Sequence, residues 1–360
     1  MKRIFILLLI ALLLAGCAAP RETEPSPEVT TEATTEPTTA PTEPPTEPPT
    51  EPEPVYYNPL TGEQIEAPLT RRIFAVSINN LQDALPHYNV GKADIFMEMF
   101  VNGSIIRGLA LFADPSDAGA IGSVRSTRFM FSDIAIHYDA IIAHAGGDKK
   151  VLNDAYNRGV DSFNIDTQKE TYYSFRDFDR WRTGKGWEHC LFALGEGLYD
   201  KALEKEIDIA QDPEKDYFLR FTDNGKPKDG EIANRITVTF SSFAKKDTTM
   251  VYDEDLEKYL YYQYGQMMLD GLTGYPEKFQ NVIVLLADIH MNGYDYHEAD
   301  FLQGGTGYFA CGGRLIPITW TCDAEDQPFR FFTEDGEPLQ LQVGNTYMAI
   351  APKDSPVVWE

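Results

Sequence analysis

The pattern of apolar and polar residues changes character twice along the chain. Residues 4–14 form an unbroken apolar run, residues 18–54 contain almost no apolar side chains, and from Val55 onward short apolar segments alternate with polar ones. Only this last region has the periodicity that is typical of helices and strands. We therefore expect the folded body to lie between Val55 and Glu360.

Strands and helices alternate in the first half of this body. Three apolar runs have the length and composition of strands: 72–78, 105–112 and 140–143. Three other segments have helical spacing: 126–138, 149–158 and 191–205. Asp148 is the expected N-cap of the second helix, and Gly159 follows its end. These elements predict a mixed αβ domain over residues 55–210.

Strands dominate the second half. After a polar connector over 211–235, apolar runs separated by turn residues predict seven strands: 236–240, 282–286, 308–311, 315–321, 329–333, 339–342 and 347–351. Residues 236–360 are therefore predicted to form a mainly β domain. The fold class predicted for the whole body is α+β.

The N-terminus predicts export and lipid attachment. Lys2 and Arg3 precede the apolar run, which is too short for a stable membrane span, so residues 1–16 are interpreted as a signal peptide. The following Leu-Ala-Gly-Cys resembles a bacterial lipobox, in which Cys17 carries a diacylglyceryl group after cleavage. We expect a lipid-anchored protein on the outer face of the bacterial cytoplasmic membrane.

Residues 17–54 follow as a tether rich in Pro, Thr and Glu. Such a composition cannot form a core and favours extended polyproline II at about 3.1 Å per residue, which allows a reach of roughly 100 Å. The whole chain has a formal net charge of -25. Because an acidic protein is repelled by phosphate backbones, we expect no nucleic-acid partner.

Three cysteines remain after Cys17: Cys190, Cys311 and Cys322. Gly312-Gly313 is typical of a two-residue hairpin turn, which would place Cys311 opposite Arg314 and far from Cys322. We therefore predict no bridge between Cys311 and Cys322. The other pairing possibilities stay open.

The sequence contains few catalytic signatures. It has no P-loop, GxGxxG, HExxH, CxxC or GxSxG motif, and it predicts no cofactor. His290 and His297 lie among acidic residues, but a solvated polar turn explains them better than a metal site. Cys322 followed by Arg330 has a superficial likeness to the nucleophile and arginine of sortases, and a buried, unreactive cysteine is the simpler interpretation.

Arg125 and Arg128 suggest a binding site. If Ser126 caps the following helix, both cations lie at its positive end, where an anionic group would offset them. Two guanidinium groups can hold one carboxylate or phosphate through paired hydrogen bonds. An internal ion pair with Glu98 or Asp133 is the structural alternative, which the sequence leaves open.

A glycine turn predicts a neighbouring helix entrance. His144, Gly146, Gly147 and Asp148 connect a predicted strand to a predicted helix. Glycine allows close backbone approach, and free N–H groups at a helix start can bind anions. A simple tight turn with Asp148 as cap accounts for the same residues.

Several stretches resemble the YerB-like lipoproteins of bacterial surfaces. They are NPLTGEQI (58–65), RRIFAVSINN (71–80), KADIFMEMFVNGSIIRGLALF (92–112), IGSVRSTR (121–128), YDAIIAHAGG (138–147), FQNVIVL (279–285) and RLIPITW (314–320). The resemblance implies an extracytoplasmic lipoprotein with two domains of unknown function. It aligns family positions with Arg107, Arg125, Arg128 and His144, and it supplies no catalytic mechanism.

We therefore expect a non-catalytic binding protein for an anionic cell-envelope ligand. Arg107, Arg125, Arg128 and His144 would line its site with the two glycines, and Glu98 would orient one arginine. A peptidoglycan-modifying enzyme is one alternative, with His144 as base and Glu98 or Asp148 as its partner. An adaptor for other envelope proteins is another.

Overall fold

A mixed sheet of eleven strands runs through the body in the computed structural model, which describes residues 54–240 and 246–360. Its strands, in spatial order, are Glu231–Ile232, Arg314–Thr321, Gly305–Cys311, Asn281–Ala287, Thr346–Pro352, Ile95–Asn102, Ile105–Phe112, Phe74–Ile78, Ile141–His144 and Ser162–Asn164, with Arg330–Thr333 paired to Arg314–Thr321. The strand at its centre, Thr346–Pro352, pairs in parallel with Asn281–Ala287 and with Ile95–Asn102.

Smaller sheets complete the body. A six-stranded sheet contains Arg235–Thr239, Asp247–Asp253, Lys258–Gln263, Gln266–Met267, Lys278–Phe279 and Val357–Trp359. A three-stranded sheet contains Ala120–Gly122, Ser174–Arg176 and Leu191–Leu194. The two-stranded pairs are Tyr56–Tyr57 with Gln64–Ile65, Arg220–Thr222 with Gln340–Gln342, and Ile289–Met291 with His297–Ala299. The α-helices are α1 (Phe129–Tyr138), α2 (Lys149–Asn157), α3 (Phe178–Arg182) and α4 (Leu198–Glu204).

The central sheet has a hydrophobic core on each face. Side chains alternate between the two faces along a strand. Phe96 and Phe100 therefore join the core shared with the six-stranded sheet. Met97 and Met99 join the core that contains the apolar side of α1. Both faces are covered, which explains why the central strands are apolar at nearly every position.

The α+β class predicted from the sequence is confirmed, with a mainly β second half. The helix predicted over 191–205 is wrong in its first part, because Leu191–Leu194 is a strand paired on both sides. A Cβ on Gly195 or Gly197 would lie 2.0 or 2.1 Å from a backbone oxygen, so this stretch packs closely against neighbouring loops before α4 begins.

The structure joins the two predicted domains through their strands. Residues 53–360 form one compact unit. Strand Thr346–Pro352 from the second half is hydrogen-bonded directly to Ile95–Asn102 from the first half. The predicted connector, 211–235, itself contributes two short strands. The division into 55–210 and 236–360 thus remains a prediction about sequence segments.

The Gly312-Gly313 turn is confirmed. Both glycines have positive φ, 59° and 73°, and Cys311 pairs with Arg314 across the hairpin. Cys190, Cys311 and Cys322 are all free and buried. The prediction that Cys311 and Cys322 form no bridge is therefore confirmed.

Candidate anion-binding site

Arg107 extends from the central sheet toward α1. It pairs directly with Met99 in the neighbouring strand, and directly paired residues project from the same face. Met99 belongs to the core that contains α1. Arg107 therefore projects from the face of the sheet that α1 covers, and the residue is only 3% exposed.

The Arg125–Arg128 segment lies across the carboxyl ends of two parallel strands, Phe74–Ile78 and Ile141–His144. The Arg125 N–H donates to the Ser77 carbonyl at 2.9 Å, and the Arg125 carbonyl accepts from the Ala145 N–H at 2.9 Å. The Thr127 N–H then donates to Gly146 at 3.0 Å. These bonds keep the segment extended between the two strand ends.

The prediction that Ser126 caps α1 is wrong. The helix begins at Phe129, and its N-cap is Arg128, which makes no side-chain capping bond. The Ser126 hydroxyl donates instead to the Ala145 carbonyl at 3.1 Å. Both arginines therefore precede the helix on extended backbone, and the first N–H groups of α1 have no side-chain acceptor from the cap residue.

Three arginines gather at this point, and we call Arg107, Arg125 and Arg128 the arginine cluster. The Ser126 carbonyl accepts from Arg107 Nη1 at 2.8 Å and from Arg128 Nη1 at 3.2 Å, so these two guanidinium groups lie side by side. Among the described residues, none of the three arginines forms an ion pair within 4.0 Å. Within the part of the chain that the structure describes, the positive charge of the cluster thus has no carboxylate in ion-pair contact.

The pKa shifts express the same crowding. Burial, then the charges of Arg128 and Arg125, hold the pKa of Arg107 well below its ordinary value. Burial also lowers the pKa of Arg128, and Arg125 adds to this effect, whereas Tyr296 and Asp148 oppose it. An anion bound between the guanidinium groups would relieve both the repulsion and the lost solvation.

His144 and the glycine turn lie beside the cluster. Asp148 caps α2 as predicted, because its carboxylate accepts from the Lys150 N–H at 2.8 Å. His144 is buried, its Nδ1 has no hydrogen-bond partner, and burial lowers its pKa to about 4, so the ring is neutral near pH 7. Gly146 takes a positive φ of 69°, and Gly147 packs against Thr127.

Glu98 does not belong to this site, so its predicted roles are wrong. It pairs with Gly108 and projects from the sheet face opposite to Arg107. There its carboxylate accepts from five donors: Asn80 Nδ2, Lys246 Nζ, Thr248 Oγ1 at 2.5 Å, and the hydroxyls of Tyr261 and Tyr347 at 2.6 Å each. Glu98 orients no arginine and is not hydrogen-bonded to His144.

The other predicted acidic partners are also occupied elsewhere. Asp133 pairs with Arg158 at 2.7 Å, so it does not neutralise the cluster. The carboxylate of Asp148 accepts from its own helix, and the structure records no hydrogen bond between Asp148 and His144. His144 therefore lacks the carboxylate partner that the enzyme alternative requires.

Sequence reasoning missed four residues near the cluster, two tyrosines and two lysines. Tyr296 comes from the Ile289–Ala299 hairpin and lies with its ring 5.7 Å from the Arg128 guanidinium carbon. Tyr294 in the same hairpin contacts Lys150, whose Nζ is 3.4 Å from the ring centroid. Two lysines in the first turn of α2, Lys149 and Lys150, are exposed and add positive charge.

The arginine cluster is a shallow site. Two cavities of about 670 and 690 Å³ lie elsewhere on the described body, and neither is lined by an arginine of the cluster. Arg125 and Arg128 are half-buried at the surface, with Arg107 below them. A ligand here would be held by charge and hydrogen bonds more than by enclosure.

Cys322 has the properties of a core residue. It is buried, its Sγ lies 3.5 Å from His137 Nε2, and burial raises its pKa to about 11. Arg330 pairs with Asp323 at 2.9 Å, and its guanidinium carbon lies 3.8 Å from the Phe218 ring centroid. This environment disfavours a thiolate nucleophile. His297, which the sequence places among acidic residues, has its ring stacked on Phe100 with the two ring centroids 4.0 Å apart.

Comparison with known families matches most of the chain. Residues 60–208 match the family described as protein of unknown function (DUF3048), N-terminal domain, and residues 236–348 match its C-terminal domain. Residues 1–18 match the prokaryotic membrane lipoprotein lipid attachment site. This segment includes Cys17 and lies outside the residues that the structure describes.

Similarity to YerB of Bacillus subtilis (strain 168) extends over both halves. The chain is 27% identical to it over 311 residues, which cover 82% of this chain and 86% of YerB. The crystal structure of Bacillus subtilis YerB has the same fold, with a TM-score of 0.70 and 24% identity over 84% of this chain and 99% of that one. Among the described residues, no helix has the length and apolar character needed to span a membrane.

Proposed function

This chain is a member of the YerB-like family of lipoproteins of unknown function, and from that premise we propose that its arginine cluster binds an anionic ligand of the cell envelope. The ligand would carry a phosphate or carboxylate group. The observation that carries the proposal is the set of three neighbouring guanidinium groups, Arg107, Arg125 and Arg128, with no carboxylate counter-ion in the described body.

Burial of Arg107 is the strongest part of this argument. An unpaired ion inside a protein costs several kcal/mol, so buried arginines are normally paired. Arg107 donates one hydrogen bond, from Nη1, and its buried Nε has no partner. An anion in contact with this guanidinium would supply both the missing acceptor and the missing charge.

The two helices beside the cluster favour the same ligand. Both α1 and α2 begin at this edge of the sheet, and helix N-termini carry partial positive charge. Neither helix has an acidic residue in its first turn, and α2 has Lys149 and Lys150 there. The helix starts and these two lysines therefore add positive potential beside the cluster, which the carboxylate of Asp148 at the N-cap of α2 partly offsets, in a chain whose net charge is -25.

We place the site outside the cell. Acylation of Cys17 would anchor the mature chain in the outer leaflet of the cytoplasmic membrane, and the Pro/Thr/Glu-rich tether would carry the body away from the lipid surface. The polymers and lipids of a bacterial envelope are rich in phosphate and carboxylate groups. A tethered receptor for such groups needs neither a cofactor nor a catalytic base.

Ligand-dependent thermal stabilisation tests the proposal. A ligand that binds only the folded state stabilises it by about 2.7 kcal/mol at a concentration of 100 times its Kd. We expect inorganic phosphate, titrated into the mature chain, to raise the melting temperature. The Arg125→Ala/Arg128→Ala double variant should lose this shift, because it removes the two accessible guanidinium groups.

Arg220→Ala is the matched control, since Arg220 forms an exposed pair with Asp216 at 2.8 Å outside the cluster. It should keep the full phosphate response. Arg125→Ala alone should leave the stability of the free protein unchanged or slightly higher, because the Arg125 side chain has no hydrogen bond or ion pair among the described residues and its charge repels Arg107 and Arg128. An undiminished phosphate response in the double variant would refute the site.

A further inference from the structure

Three large aromatic side chains form a surface patch on and after α3, and we call Phe178, Trp181 and Trp187 the aromatic platform. Phe178 and Trp181 are 47% and 50% exposed. Trp187 lies between them, with ring centroids 5.7 Å from Phe178 and 6.0 Å from Trp181. A patch of aromatic side chains that includes an exposed tryptophan and phenylalanine and a half-buried tryptophan is typical of a binding surface.

The platform is held rigidly from below. Asp177 caps α3, accepting from the N–H groups of Asp179 and Arg180 at 2.9 and 3.0 Å, and it also accepts from the Tyr88 hydroxyl at 2.6 Å. Arg180 anchors the helix by donating to two backbone carbonyls. The Arg176 guanidinium carbon lies 4.4 Å from the Trp187 ring centroid. Rings fixed in this way lose little entropy when a ligand binds.

The platform borders the arginine cluster. The chain leaves it through Glu188 and His189 and enters strand Leu191–Leu194. The Leu191 carbonyl accepts from the Val124 N–H at 2.7 Å, one residue before Arg125. The pKa of Glu188 is lowered mainly by a backbone hydrogen bond, and the pKa of His189 is lowered mainly by burial. The charge of Arg125 adds to both effects, so Arg125 lies near both residues. One extended ligand can therefore reach both surfaces.

We infer that the ligand of this site is an acidic glycan, whose sugar rings stack on the aromatic platform while its acid group is held by the arginine cluster. This inference rests on the proposed function. A pyranose ring has an apolar C–H face that packs on an aromatic ring and hydroxyls that need polar partners at the rim. Asp179, Arg182 and Lys185 supply those partners around the rings.

The charge pattern favours a glycan over a lipid surface. A surface that inserts into a membrane interface combines aromatic residues with lysines and arginines and lacks carboxylates. Here the exposed carboxylates of Asp179 and Glu188 alternate with the basic groups around the rings. Carboxylates would be repelled by anionic lipid, whereas they accept hydrogen bonds from sugar hydroxyls.

Calorimetric titration of the mature chain, residues 17–360 prepared without acylation, tests the inference with four probes. They are inorganic phosphate, a neutral tetrasaccharide of N-acetylglucosamine, an acidic tetrasaccharide in which N-acetylglucosamine alternates with a uronic acid, and vesicles of phosphatidylcholine with phosphatidylglycerol. We expect the acidic tetrasaccharide to bind more tightly than the neutral one or phosphate.

Trp181→Ala should weaken binding of the acidic tetrasaccharide about tenfold and leave phosphate binding unchanged, whereas Arg128→Ala should weaken both. Trp181→Phe should restore most of the sugar affinity, which shows that loss of the ring, and not misfolding, is responsible. Tyr156→Ala removes a ring that is 84% exposed on α2 and should have no effect.

The outcomes separate the two proposals. Full tetrasaccharide affinity in Trp181→Ala, with the loss in Arg128→Ala retained, would overturn the glycan inference and leave the anion site standing. Vesicle binding that depends on Trp181, without sugar binding, would overturn it in favour of a membrane contact. Unchanged phosphate and sugar binding in Arg128→Ala would count against the anion site itself.

Discussion

The buried pair between Glu98 and Lys246 provides a quantitative test of the fold. Glu98 is completely buried, and the Lys246 side chain is 4% exposed. Replacing Lys246 with methionine keeps the approximate shape of the side chain and removes its charge. The carboxylate then stays in the core with only neutral donors around it.

The structure sets the expected magnitude. Removing one partner of a fully buried ion pair costs about 3 to 5 kcal/mol, because the remaining charge is desolvated without compensation. Lys353 and Asp288 also form a Lys–carboxylate pair, with N and O 2.9 Å apart, but its side chains are 68% and 36% exposed. Lys353→Met should therefore cost far less than Lys246→Met, because solvent screens an exposed pair.

Urea denaturation of Lys246→Met, Glu98→Gln and the double variant measures the coupling. The neutral glutamine in the double variant can still accept from Thr248 and the two tyrosines. We therefore expect the double variant to lose less stability than the less stable of the two single variants, and so less than the sum of the two single losses. Lys353→Met is the matched control. Additive losses in the double variant, or a Lys246→Met cost as small as that of the control, would refute the assignment of a desolvated pair.

The same pair determines a pH dependence. Burial would raise the pKa of Glu98, but Lys246 and the hydrogen-bond donors outweigh it and lower the pKa to about 2. A carboxyl group with a lowered pKa in the folded state stabilises the protein above its unfolded pKa of about 4.5, and this contribution is lost as the pH falls toward 2. The double variant should lose this part of the acid-induced destabilisation.

Three further predictions concern other parts of the body. Burial raises the pKa of Glu277 to about 8, so its contribution to stability should fall as the pH rises from about 4.5 to 8. In Glu277→Gln, the urea midpoint should therefore depend less on pH across that range; an unchanged pH dependence would contradict this. Gly307→Ala would place a Cβ 2.1 Å from the Val284 carbonyl oxygen and should cost about 1 to 3 kcal/mol, whereas Gly293→Ala, with nothing within 4 Å, should change the unfolding free energy little. Cys322, with a pKa near 11, should react with a thiol reagent at pH 8 only after denaturation; rapid labelling of the native protein would show that it is accessible.

Local features of the fold could be predicted from the sequence. Strand Ile105–Phe112 has the predicted bounds, the Gly312-Gly313 hairpin has the predicted pairing, and Asp148 caps its helix. Each depends on residues within a few positions of one another. Apolar runs, turn glycines and cap residues encode such features directly.

Contacts between distant segments could not be predicted in this way. Glu98 meets Lys246 across 148 positions and Tyr347 across 249, and no periodicity within one segment shows which strand will lie opposite another. The error over Glu98 has this origin. Its strand alternates between two buried faces, so apolar residues surround it in both directions and hide the face to which it points.

The spatial grouping of the arginines with His144 could be predicted in part, whereas their role in binding stays a proposal. Arg125 and Arg128 do lie close to Arg107 and His144, at the strand ends and helix starts that their flanking residues indicated. The helical spacing assumed for them was wrong, since Ser126 uses its hydroxyl to join two segments and leaves Arg128 at the cap position. The polar sequence of the hairpin with Tyr294 and Tyr296 indicates a solvated turn, so it does not reveal that this hairpin lies beside the arginine cluster.

The position of strand Thr346–Pro352 has a consequence for the order in which the chain folds during synthesis. This strand lies in the middle of the largest sheet and follows both of its neighbours in the sequence, so neither neighbour can pair with it until it has been synthesised. Until then, strand Ile95–Asn102 of the first half has one unpaired edge. The first half therefore cannot complete its native structure alone. A chain with this order of strands completes its largest sheet only after residues 346–352 have been synthesised, so the sheet joins the two halves late in folding.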